Sequence, residues 1–137
     1  MRVWQIFIVG SLLLMLNGCT ETLFTWLADQ PAPVATGDAA QGQVIFAQGV
    51  NGSPPCATCH QTSAGGGGFS VGPNLHGLRD RAANRVEGFS AGDYIVDSIL
   101  HPAHFVVPGY QDVMFPQYST YFSEQDVADV VAYLMGL

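Results

Sequence analysis

An all-α domain of three to five helices is the fold class that this chain of 137 residues predicts. Three observations point that way. Apolar residues recur at helical spacing in three separate stretches, each opened by a residue able to cap a helix. Long loops rich in turn residues separate those stretches. The residues around the one Cys-x-x-Cys run lack the alternation of a strand.

The first helix starts at Asp38, where Ala40, Val44, Ile45 and Ala47 recur with Gly42 and Phe46, and Gly49 ends it before the turn Asn51-Gly52-Ser53-Pro54-Pro55. A second starts at Ser90, an N-cap with Asp93 three residues on. Its apolar stripe of Tyr94, Ile95, Ile99 and Leu100 stops at Pro102. The last repeats the cap signature at Ser123 and Asp126, and Val127, Val130, Val131 and Leu134 follow the i, i+3, i+4, i+7 spacing of a helix buried on one side.

Between the first two helices lies Cys56-Ala57-Thr58-Cys59-His60. Two thiols at this spacing reach the two vinyl groups of one porphyrin and form thioethers with them. The imidazole that follows can then point at the iron, so the run predicts one covalent haem c on Cys56 and Cys59 with His60 as proximal ligand. Thioredoxin-type redox pairs and zinc sites also use Cys-x-x-Cys. The first needs a strand before the motif, and the second needs two more ligands that no further Cys pair supplies.

The remaining cysteine bears on location. Arg2, the apolar run Ile6 to Leu16 and then Leu16-Asn17-Gly18-Cys19 resemble a bacterial lipoprotein signal peptide. The resemblance divides the chain into a signal at 1–18, a lipid anchor and tether at 19–37 and a domain at 38–137, with Cys19 as the lipidated N-terminus. An uncleaved membrane helix over Val3 to Thr20 is the alternative. On either reading the domain lies on the extracytoplasmic, periplasmic face of a membrane. Pro31-Ala32-Pro33 marks the tether as extended, and Leu23-Phe24-Thr25-Trp26-Leu27 before it suits a membrane interface, a neighbouring subunit or the chain's own domain.

The chain has no lysine, four arginines and a formal charge of −7. That balance argues against nucleic acid as a partner. The acids, spread from Glu21 to Asp129, are expected to form a solvated surface or to dock on a basic redox partner.

Gly42-x-x-x-Phe46, the Cys56–His60 run, Gly72-Pro73-Asn74-Leu75, a methionine loop and a C-terminal helix with Tyr133 together resemble class I cytochrome c over Asp38 to Leu137. The resemblance implies that fold, wrapped around one haem, with its first and last helices crossing at Gly42, Phe46 and Tyr133. It implies that Pro73 lies beside His60 and that a nearby carbonyl fixes the imidazole. It also implies a sixth ligand after Pro102. Met114 is the natural choice there, with His101 and His104 as competitors, and the usual proline after the methionine is displaced by Phe115. Arg81 and Arg85 stand where family members often bind a haem propionate, although surface arginines would look the same. Gly65 to Gly68 reads as a flexible excursion over the haem edge.

Segments at 85–90, 94–102 and 106–110 further resemble the cytochrome c domain of bacterial oxidase subunit II and the monohaem lipoprotein subunit of alternative complex III. The expected function is therefore single-electron transfer, with no small-molecule substrate, inside a respiratory or photosynthetic membrane complex. A lipid-tethered shuttle is the nearest alternative. A haem enzyme or gas sensor would need an open iron position and a distal acid–base residue.

Overall fold

The computed structural model describes residues 36–65 and 70–137. Among them five α-helices and one 3-10 turn follow one another without a strand. They are α1 (Ala39–Gln48), the turn Cys56–Thr58, α2 (Leu78–Ala82), α3 (Ala91–Leu100), α4 (Tyr118–Tyr121) and α5 (Glu124–Leu134). The signal segment, Cys19, the tether up to residue 35 and Gly66 to Gly68 lie outside the described residues.

The three long helices start where side chains satisfy their first N–H groups. Asp38 accepts from the N–H groups of Ala40 at 2.8 Å and Gln41 at 3.2 Å. At α3 and α5 a full capping box forms. Asp93 N–H donates to Ser90 Oγ at 3.2 Å, while Ser90 N–H donates to the Asp93 carboxylate at 3.1 Å. Ser123 and Asp126 repeat the exchange at 2.8 and 3.2 Å. Ser90 Oγ also donates to the Asp93 carboxylate at 2.6 Å, and this bond, with the one from Ser90 N–H, holds the Asp93 carboxyl below its ordinary range. The cap therefore stabilises α3 above the ordinary carboxylate pKa and is lost as pH falls through the depressed value. The apolar stripes match the starts, with Ile45, Ile95 and Val130 fully buried, one from each long helix.

Helices α1 and α5 cross most closely. Gly42 lies directly against the Asp129–Val130 backbone, so a β-carbon there would overlap the Asp129 carbonyl. One turn on, the rings of Phe46 and Tyr133 pack tilted at 5.5 Å. Both features follow the sequence expectation. Asp129 does not. Expected among the solvated acids, it is 3% exposed, and its Oδ1 accepts from Asp38 N–H and Gln125 Nε2, both at 2.7 Å. It ties the start of α1 to α5, which is how a carboxylate becomes tolerable at a helix crossing.

Helix α3 packs on α5, α2 and α4. Beyond its end the chain turns back, and Phe105 meets the Tyr94 ring edge-on at 5.9 Å. The apolar faces of α1, α3 and α5 thus converge on one interior space.

Gly42→Ala is expected to destabilise the folded protein by about 1–3 kcal/mol, because neither backbone at the crossing can yield a methyl's width. Ser123→Ala is expected to cost about 1 kcal/mol through loss of one cap. Denaturant unfolding of the two variants beside the parent measures both, and a Gly42→Ala protein as stable as the parent would contradict the close crossing.

Candidate functional site

Pro55 is extended, and the chain then tightens into the 3-10 turn. Cys59 N–H and His60 N–H both donate to the Cys56 carbonyl, at 3.1 and 3.0 Å. Cys56, Cys59 and His60 thereby line the same cavity. The following segment runs alongside. Gly72 N–H donates to the Cys59 carbonyl at 2.9 Å and Leu75 N–H to the Gln61 carbonyl at 2.7 Å, while Ser70 Oγ also reaches the Cys59 carbonyl.

This pairing fixes the imidazole. His60 Nδ1 stands 2.9 Å from the Pro73 carbonyl oxygen, which can only accept. Nδ1 therefore carries the proton, and Nε2 keeps its lone pair for a metal. Burial pulls the His60 pKa down, against the raising effect of the Pro73 bond, so the ring is neutral at pH 7. The ring rests on Gly72, where a β-carbon would overlap it.

The cavity measures about 460 Å³, within the roughly 300–1,000 Å³ of cofactor and ligand sites. Phe46, Leu75, Ile95, Ile99, Val130 and Leu134 form much of its wall, and Phe105, Val106, Met114 and Phe115 come from the long loop after α3. The donor set fits a haem. Two free thiols, a neutral imidazole and a thioether open onto an apolar slot of suitable size. Burial pushes the Cys56 thiol up, partly opposed by the nearby Tyr118 hydroxyl.

Of the candidate sixth ligands, Met114 lines this cavity and His101 and His104 do not. The two histidines stack on each other outside it at 4.8 Å, and His104 Nδ1 lies 3.1 Å from Asp97 Oδ1. Arg81 and Arg85 line the cavity and also a smaller polar pocket beside it, shared with Asn74, His76 and Tyr110. Arg81 donates to the carbonyls of His76 at 2.5 Å and Asn74 at 2.7 Å, leaving further guanidinium protons for a carboxylate. The Arg85 guanidinium carbon lies 6.0 Å from the centre of the Tyr94 ring.

Tyr118 was not legible as a site residue. It is 4% exposed, lines the cavity, and donates from its hydroxyl to the Pro54 carbonyl at 3.2 Å. The one signal for it is its place four residues after Met114.

A helical shell around a cavity with paired thiols and an oriented imidazole defines a c-type haem protein. The family profile described as cytochrome c matches residues 39–137, and the chain belongs to that family. It is 32% identical over 115 residues to cytochrome c2 of Blastochloris viridis, covering 79% of this chain and 84% of that one. Cytochrome c of Nigella damascena is 31% identical over 110 residues, covering 72% of this chain and 88% of its own length. Cytochrome c-550 of Paracoccus versutus is 38% identical over 72 residues, covering 49% and 42%. The protein has the class I cytochrome c fold, binds one covalent haem c and carries single electrons without turning over a substrate.

Gly72→Ala is expected to displace the His60 ring and destabilise the loaded protein by about 1–3 kcal/mol. The absorption spectrum and denaturation midpoint of the purified variant check this, and a parent-like spectrum and midpoint would contradict the contact.

Proposed function

We propose that Cys56 and Cys59 would hold the haem through thioethers, that His60 and Met114 would ligate its iron, and that Arg81 and Arg85 would pair with its propionates. The convergence of Cys56, Cys59, His60 and Met114 on one cavity carries this reading. Bound there, haem supplies an iron that takes up and returns one electron. The chain's own groups tune that exchange. Pro73 holds the His60 proton at Nδ1 and keeps Nε2 basic. Met114 offers a soft thioether, which favours the reduced metal over what a second imidazole would give. The apolar wall limits water near the ligands. The two guanidiniums offset carboxylate charge at the polar end.

This carrier works as a subunit of a membrane electron-transfer complex, of the alternative complex III or oxidase kind, on the periplasmic side. Lipid at Cys19 anchors it. The supporting features are the lipobox-like Leu16-Asn17-Gly18-Cys19, the Pro31–Pro33 tether and the resemblances across 85–110. The tether also suits a shuttle that stays bound to the membrane but visits its partners.

Two measurements test these points. Met114→Ala should open an iron position, so that the reduced variant binds carbon monoxide while the parent does not; equal binding by both would remove Met114 as ligand. Native membranes extracted in mild detergent and separated on a haem-stained native gel should place the chain in a large multi-subunit band. Migration alone would favour the shuttle, and the intact mass of the chain from the band reports whether Cys19 is its lipidated first residue.

A further inference from the structure

The chain has an unusual problem on the methionine side of its cavity. Met114 sits in a loop, and the α-helix that follows it, α4, has four residues and no side-chain cap. Backbone bonds on either side are local turns: Val113 N–H to the Gln111 carbonyl at 3.0 Å, and Thr120 N–H to the Gln117 carbonyl at 2.9 Å. Neither joins Met114 to the half of the molecule that bears the cysteines.

Two side chains make that connection: Asn51 Nδ2 donates to the Tyr121 carbonyl at 3.0 Å, and Tyr118 reaches across nearer to Met114. Its ring is packed between Phe115 at 5.1 Å, edge-on, and Phe122 at 5.0 Å, tilted. Its hydroxyl crosses to the attachment segment, donating to the Pro54 carbonyl 64 positions earlier and lying beside the Cys56 side chain. A buried phenol needs a partner for its O–H, and here the partner belongs to the segment that anchors the cofactor. The ring also fixes Phe115, the residue directly after Met114, which packs against Tyr121 at 5.7 Å as well. One side chain therefore spans from the thioether-forming turn to the neighbour of the sixth ligand.

We propose that Tyr118 is a positioning residue that holds Met114 on the iron, its ring bracing Phe115 and its hydroxyl tying the loop to Pro54. The proposal rests on Met114 being the sixth ligand. Loss of the hydroxyl should leave the ligand in place but let it leave more often. A neutral hydrogen bond contributes about 0.5–1.5 kcal/mol, which converts to about a two- to twelvefold rise in the population of the open form.

The test uses the haem-loaded protein. Cyanide, which must wait for an open position, is mixed with the ferric forms of the parent, Tyr118→Phe, Met114→Ala and Ser90→Ala. Tyr118→Phe is expected to keep the long-wavelength absorption band of a methionine-bound ferric haem and to bind cyanide severalfold faster than the parent. Ser90→Ala, destabilised at the α3 cap, which shares no hydrogen-bond partner with Tyr118, is expected to match the parent, which separates a local effect from a general loss of stability. A Tyr118→Phe rate equal to the parent's, or a Ser90→Ala rate raised to the same degree, overturns the positioning role. Met114→Ala should lack the band and bind cyanide fastest. If instead it keeps the band and the parent's rate, the ligand reading itself has failed, whatever Tyr118→Phe does.

Discussion

The core of this protein is built around a group that its sequence does not encode. Phe46, Leu75, Leu78, Ile95, Ile99, Val130 and Leu134 are buried core residues, and each also faces the cavity. Without that group these side chains would line an apolar cleft of about 460 Å³ open to water, and the apolar burial that the haem provides would be lost. The closest and most extensive helix contact is where Gly42 lets α1 approach α5. The cofactor is therefore a structural member, and its covalent attachment keeps the largest piece of the core from dissociating.

The same constraint makes the site rigid enough for its task. An electron carrier needs ligands that stay in place as the metal changes charge. On the histidine side, the Gly72–Leu75 segment hydrogen-bonds along the attachment turn and fixes both the position and the tautomer of His60. The methionine side is built from a loop and aromatic packing instead. The two sides differ in what holds them, and the buried Tyr118 hydroxyl bridges the difference.

Much of this was legible in the sequence, for identifiable reasons. The long helices announce themselves because Asp38, Ser90 and Ser123 cap apolar stripes whose period is long enough to read. Helices α2 and α4, at five and four residues, are too short to repeat that period and have no side-chain cap. Cys56, Cys59 and His60 are adjacent in sequence, so their chemistry is visible in one window. Met114 could be proposed only through the family likeness, and the fold adds that it lines the cavity while His101 and His104 do not. Asp129 and Tyr118 were missed for one common reason. Their partners, Asp38 and Pro54, are 91 and 64 residues away, and no local pattern encodes such a contact.

The central claim is that the cofactor completes the core, and the haem-free chain tests it most directly. The doubly substituted Cys56→Ala, Cys59→Ala protein, purified without haem, should show little helix by far-ultraviolet circular dichroism and no cooperative unfolding on adding denaturant. A haem-free chain with the helix content of the loaded protein and a single sharp transition would contradict the account.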